Sequence, residues 1–405
     1  MSVSTSSAPS FADEREDFFL AGVRDIRDLL MAQAAKGEAD GFLSVAVIDA
    51  LDAIEGIWSM AVPQRLGGTG LSARSIARIS AELAKGDPAA AWVVQIIGSA
   101  TWVASLASDA VQDILFADGV PRICAVFGPP GTAVPVDGGY RVRGRWPYAS
   151  GCAIARWAQL AVAIERDDGT RTPGAFCYIP LSELEIQRTW QTTGLQATGS
   201  DTLVTEDLFV PYERTITPDR PLGMAEGRTR HCGAPSDYWT IGAFVGRTGT
   251  GQAIGIAEAM LEQVATGLDR KTIAGTTFAR ASDSQVIARD IGEAAAQIAT
   301  ARLLVEETTG RLDAAALART PLDFAARAQS RALGNLAIKL VDSAAQSLMF
   351  IGGSSALSIA NPLSRYWRDL AMVTRHVQNI PNLGFEVHGR ALLNIQPNLF
   401  LQHLI

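Results

Sequence analysis

The stretch Arg365-Tyr366-Trp367-Arg368-Asp369, followed seven residues later by His376 and then Val377, decides the reading of this chain. It stands behind a glycine-rich turn, Gly352-Gly353-Ser354-Ser355, and a helix start at Asn361-Pro362-Leu363. Proline is tolerated at the first position of a helix, because the N–H it lacks has no partner there. A short helix is expected from about Pro362 to Leu370, shortly before an imidazole. Upstream, Gly251 to Leu268, Ser282 to Leu312 and Leu322 to Leu348 carry heptad-like Ala, Ile and Leu patterns with few breakers. Long alanine-rich helices of this kind pack closely as an antiparallel bundle.

Working back from that end, the pattern changes twice. Ile123 to Phe127, Tyr140 to Trp146, Trp157 to Ile164, Ala175 to Ile179, Leu184 to Trp190 and Thr202 to Val210 are short runs separated by Gly, Pro and Asp clusters. Such spacing predicts a small barrel or sandwich. Before it, Phe11 to Phe116 reads as helices, with Phe18, Phe19, Leu20, Val23, Ile26, Leu29 and Leu30 at three-four spacing. Asp87-Pro88 is a capped helix start within this part. The expected fold class is α+β, mainly α, in three units: a helical domain over 1–117, a central β-barrel over 118–225 and a C-terminal four-helix bundle over 226–405.

Composition narrows the function. The 405 residues are 48% apolar, and 42 acidic against 35 basic side chains leave a net charge of −7, which recommends neither nucleic acid nor an anionic membrane as partner. No apolar run is long enough to span a bilayer, and the Ser-rich start turning acidic at Asp13-Glu14 is not a secretory signal. Cys124, Cys152, Cys177 and Cys232 show no CxxC spacing and read as reduced thiols of a cytoplasmic protein. His231, His376, His388 and His403 lack metal-ligand spacing, so no metal site is expected. Gly249-Thr250-Gly251-Gln252-Ala253-Ile254-Gly255 follows no strand, and close helix packing explains it better than dinucleotide binding.

Three further motifs complete the picture: Val62-Pro63-Gln64-Arg65-Leu66-Gly67-Gly68; Gly144-Arg145-Trp146-Pro147-Tyr148-Ala149-Ser150-Gly151-Cys152 with Trp157; and Gly194-Leu195-Gln196-Ala197-Thr198-Gly199-Ser200-Asp201. Together with the Arg368-Asp369 segment they resemble the acyl-CoA dehydrogenase fold. Within that fold, the second motif resembles the oxygenase components of two-component flavin-dependent monooxygenases, similar to the 4-hydroxyphenylacetate and 3-hydroxy-9,10-secosteroid hydroxylases. The resemblance covers nearly the whole chain from about residue 15.

What the resemblance implies is specific. In the dehydrogenases, counting on from the Arg-Asp pair reaches a Glu that removes the substrate's α-proton; here the count reaches Val377, with His376 just before it. Valine accepts no proton and imidazole does, so His376 is the expected acid/base residue. Ser150 matches a serine near flavin N5 in the oxygenases and is the second expected catalytic residue. The turn from Trp146 to Ser150, with Tyr148 and its backbone N–H groups, is expected to hold the flavin, and Arg270 and Arg280 to reach its phosphates, as such residues often do from a neighbouring subunit. Arg368 and Asp369 are expected to pair as ions and fix the last helix. Ile380 stands where the secosteroid hydroxylases carry an acid, so their substrate contacts do not transfer directly.

The expected activity is hydroxylation of a small phenolic or indole-type aromatic through a C4a-hydroperoxyflavin. The reduced FAD or FMN would come from a separate NAD(P)H-dependent reductase, O2 would be co-substrate, and the protein would be a homotetramer. N- or S-oxygenation on the same fold is the nearest alternative. An acyl-CoA dehydrogenase using a displaced base such as Glu386 is a second, and a non-enzymatic helical assembly protein that binds no flavin a third.

Overall fold

The computed structural model describes residues 10–216, 229–230 and 232–396; His231 and His403 lie outside them. Six helices come first: α1 (Glu16–Asp25), α2 (Arg27–Asp40), α3 (Val45–Asp52), α4 (Ala73–Gly86), α5 (Pro88–Ala104) and α6 (Asp109–Leu115). As the sequence predicts, Asp87 caps α5, its carboxylate accepting from the Ala89 N–H at 2.8 Å.

Strands follow as β1 (Ile123–Val136), β2 (Gly139–Ala149), β3 (Trp157–Glu165), β4 (Arg171–Pro180), β5 (Glu185–Gln187), β6 (Asp201–Pro211) and β7 (Thr215–Ile216). Among the described residues they do not close into the expected barrel. They form one mixed seven-stranded sheet in the order β5-β6-β2-β1-β3-β4-β7, antiparallel except for the β1–β3 pair, with no ladder joining β5 to β7. Among the described residues these two edge strands are three and two residues long. One apolar cluster joins the sheet (Ile123, Trp157, Phe176, Tyr178) to α5 and α6 through Ala100, Ala104, Val111 and Leu115. A second is built by the strands themselves around Trp146.

The remainder is α7 (Ile241–Gly267), α8 (Gln285–Leu317), α9 (Phe324–Gly352), α10 (Pro362–Val373) and α11 (Pro381–Leu392). α7 begins ten residues before its expected start, and α11 was not anticipated. α4 and α7 cross in direct backbone contact. A Cβ on Gly251 would lie 2.3 Å from the Ala77 carbonyl oxygen, and one on Gly255 only 1.9 Å from that of Ala81. Gly251 and Gly255 of the 249–255 stretch are therefore packing residues, as expected, whereas Gly249 has open space around it. No helix among the described residues is long and apolar enough to cross a membrane.

Candidate active site

Register places the two key hydroxyls. In the β2–β6 ladder Ala149 lies opposite Asp201, so the residues just beyond that pair, Ser150 and Ser200, face one another past the end of the ladder. Their Oγ atoms are 2.7 Å apart. The chain reaches this point through Tyr148, which holds a positive φ of 67° despite its side chain, and turns away through Gly151 at φ 74°. Left-handed backbone at a bulky residue is costly and persists only where the surroundings fix it. Here Ser150 N–H donates to the Tyr148 carbonyl (2.9 Å), Gly151 N–H to that of Thr198 (2.9 Å) and Cys152 N–H to that of Ala149 (3.1 Å). The backbone donors of 150–152 are thus spent internally.

Ser150 is buried, and it meets α5. Trp92 donates its indole N–H to Ser150 Oγ at 3.0 Å. The Trp92 ring in turn meets the His376 imidazole edge-on, with centroids 5.3 Å apart and planes at 75°. Ser150 and His376, far apart in sequence, are thereby brought to the two sides of one indole.

His376 lies in the turn after α10. That turn is pinned to α9: Arg331 donates to the Val377 carbonyl (3.1 Å) and Asn335 to that of Gln378 (3.0 Å). The imidazole keeps some solvent contact, but the atoms around it desolvate the charged form and lower its pKa to about 4. It is neutral at pH 7. The Gln378 N–H approaches Nδ1 at 3.4 Å, which leaves the ring proton on Nε2 as a donor.

α10 also holds the opposite wall. Asp369 accepts from the Leu195 N–H at 2.6 Å, and Arg368 donates to the Thr193 carbonyl at 2.5 Å and pairs with Glu38. Gly194 fits because a Cβ there would lie 2.1 Å from the Arg368 carbonyl oxygen. Arg368 and Asp369 therefore do not pair with each other as expected. Each clamps the 193–195 segment, which runs on to Thr198 and Ser200. Burial raises the Asp369 carboxyl to about 7, offset in part by the Leu195 N–H.

The other expected flavin residues separate into three groups. Tyr148 is well exposed, and its ring meets Trp190 edge-on at 5.8 Å, leaving an aromatic face open beside Ser150. Trp190 also borders a polar groove of about 420 Å³ with Arg188, Gln196 and Asp201. Trp146 is a correction: it is fully buried among the strands, its N–H is bound to the Ala161 carbonyl (2.8 Å), and it presents no face to a ligand. Arg270 and Arg280 are exposed beyond the far end of α7. Gly246, near the start of that helix, lies against Gln378, so at 1.5 Å per residue the end of α7 at Gly267, just before Arg270, stands about 30 Å from the His376 turn. Arg280 is already paired with Asp283 at 2.7 Å.

Residues 248–381, which include His376 and both clamp residues, match the family described as acyl-CoA dehydrogenase, C-terminal domain. The structure of XiaF from a Streptomyces species, in complex with FADH2 and glycerol, superposes with a TM-score of 0.90 at 27% identity, covering 96% of this chain and 98% of that one. This chain has the acyl-CoA dehydrogenase fold. Its relatives on that fold include the FADH2-dependent resorcinol hydroxylase oxygenase component of a Rhizobium species, 28% identical over 97% of this chain and 98% of its own. They also include the flavin-dependent monooxygenase oxygenase subunit HsaA of Mycobacterium tuberculosis, 29% identical over 86% of this chain and 89% of its own. The acyl-CoA dehydrogenase fold here thus sits among oxygenases, as the loop ending in Ser150 and the histidine before Val377 suggest.

The sequence had not singled out Trp92, Thr198 or Ser200. Trp92 sits in a run of alanines and valines on an almost wholly buried helix, where an indole is indistinguishable from core. Thr198 and Ser200 lay within a quoted motif, but only the β2–β6 register turns them toward Ser150.

Proposed function

We propose that this chain is the oxygenase component of a two-component flavin-dependent monooxygenase acting on a small phenolic or indole-type aromatic. The observation that carries the reading is the Ser150–Trp92–His376 arrangement, with Val377 in place of a carboxylate and hydroxylases named both among the sequence relatives and among the similar solved structures. Glu386, the displaced base a dehydrogenase would need, is exposed on α11 beside Arg390 at 3.8 Å.

The residues present suit a reduced flavin. The Tyr148 ring offers an apolar face, and Ser150 a hydroxyl at the ring edge. Reduced flavin supplied by a separate NAD(P)H-dependent reductase would activate O2, so that one oxygen atom enters the aromatic ring and the other leaves as water. This chain's own part is to keep water out and hold the reacting groups. His376, neutral with its proton on Nε2, donates to the phenolic oxygen, orients the ring and stabilises the charge that develops on that oxygen as the ring is oxygenated. Arg270 and Arg280 act on flavin phosphates of a neighbouring subunit, which calls for a homotetramer assembled through the 226–405 unit, with 1–117 and 118–225 as the other two. The cytoplasm is the expected setting.

The test supplies chemically reduced FAD or FMN and 18O2 to the protein with a panel of phenols and indoles. A product heavier by one 18O atom establishes the activity. Flavin oxidation to H2O2 with no labelled product from any aromatic, together with oxidation of acyl-CoA, would overturn it.

A further inference from the structure

Ser150 is one member of a chain of four side chains. Trp92 N–H meets Ser150 Oγ at 3.0 Å, Ser150 Oγ meets Ser200 Oγ at 2.7 Å, Ser200 Oγ meets Thr198 Oγ1 at 2.7 Å, and Thr198 Oγ1 meets the Leu195 carbonyl oxygen at 2.8 Å. Each hydroxyl has one proton to give. The indole at one end only donates, and the carbonyl at the other only accepts. The direction of every bond between them follows: Trp92 to Ser150, Ser150 to Ser200, Ser200 to Thr198, Thr198 to Leu195. All three hydroxyls are buried, so no reversal through bulk water relieves the order.

We propose that Thr198 and Ser200 are positioning residues that hold Ser150 as a hydrogen-bond acceptor, so that the site selects a flavin carrying a hydrogen on N5. The inference rests on the reading of Ser150 as the residue facing the flavin edge, and it assigns that residue's polarity. With its proton committed to Ser200 and one lone pair taken by Trp92, Ser150 has a single lone pair left. The spent N–H groups of residues 150–152 add no donor to the turn. Reduced flavin bears N5–H and meets that lone pair as a donor. Oxidised flavin has a bare lone pair at N5 and finds no donor there. Release of the oxidised flavin is thereby built into the resting hydrogen-bond order: oxidation of the cofactor removes the N5–H whose hydrogen bond Ser150 accepts.

The test compares the dissociation constants of oxidised and reduced flavin, the first by fluorescence and the second anaerobically, with the potential of the bound flavin as a check. Thr198→Val keeps the shape but removes the acceptor of Ser200, whose hydroxyl then turns to Ser150 and frees the Ser150 proton. Oxidised flavin is expected to bind about 3–10-fold tighter in this variant, the worth of one neutral hydrogen bond. That corresponds to a fall in potential of about 14–30 mV for a two-electron couple. Thr198→Ser restores the wild-type ratio. Ser200→Ala, which also frees the Ser150 proton, moves the ratio in the same direction as Thr198→Val. Ser150→Ala lowers the preference by weakening reduced flavin. A ratio changed in Ser150→Ala but unmoved in Thr198→Val and Ser200→Ala overturns the polarity assignment alone. A ratio unmoved in Ser150→Ala removes Ser150 from the flavin edge, and both readings fall.

Discussion

The indole N–H of Trp92 is bound to the hydroxyl of Ser150 at 3.0 Å, so α5 sets the orientation of the residue just past the end of β2. The same ring, through its contact with His376, fixes how far the hydroxyl stands from the imidazole.

Trp92→Phe should keep the aromatic contact with His376 and remove only the donor to Ser150. One neutral hydrogen bond is worth about 1 kcal/mol, so flavin affinity is expected to shift by roughly fivefold or less. The yield of hydroxylated product per flavin oxidised should fall more than the total oxidation rate. Equal falls in both, measured by product and H2O2 assays, would make Trp92 a packing residue only.

The pH dependence of His376 follows from its lowered pKa of about 4. Because the folded value lies below the unfolded one, its contribution to stability is present above about pH 6.5 and lost as pH falls toward 4. The free enzyme's kcat/KM should accordingly show no His376-linked break between pH 5.5 and 8. A limb near 6.5 that disappears in His376→Gln would contradict this. His376→Ala should retain flavin binding and lose most hydroxylation.

Asp369 has the opposite sign. Burial raises its carboxyl to about 7, so its contribution is fully present below about pH 3.9 and lost as pH rises through 7. Asp369→Asn keeps an acceptor for the Leu195 N–H without the charge. Wild type and Asp369→Asn should melt together near pH 4 and diverge toward pH 7, with the variant the more stable. Asp369→Ala leaves that buried N–H without its partner and should cost about 1–3 kcal/mol in urea titrations.

Two glycines should tolerate no methyl group. Gly194→Ala drives a Cβ against the Arg368 carbonyl and Gly255→Ala another against that of Ala81, both backbone atoms that cannot swing aside. Overpacking of this kind typically costs about 1–3 kcal/mol. Gly255→Ala should lower Tm by separating α4 from α7. Gly194→Ala should in addition impair flavin binding, because it unseats the segment leading to Thr198 and Ser200. Gly249→Ala, with open space around its position, is the control and should melt near wild type.

Much of this was legible in the chain. Periodicity and breakers located the long helices and six of the seven strands, because burial on one face imposes those spacings. That the described strands form an open sheet and not the expected barrel was not legible, since nothing in the two short edge strands says whether the ladder closes. Ser150 and His376 were visible through motifs, and the structure brings them to one indole. Trp146 shared the same motif and went the other way: strand alternation sends it into the sheet, two residues before the backbone at Tyr148 breaks that alternation. The partners of the Arg368-Asp369 pair were invisible because they are backbone atoms of residues 193–195, which sequence does not distinguish from any others.

That clamp has a consequence for how the site tolerates change. The helix that ends beside His376 is also the one that seats the segment leading to Ser200 and, through it, Ser150. The imidazole and the hydroxyl are referenced to a single rigid body. Substitutions at residues around them can change the local shape for a different aromatic while the two groups keep their separation, so new substrate preferences are reachable without rebuilding the chemistry.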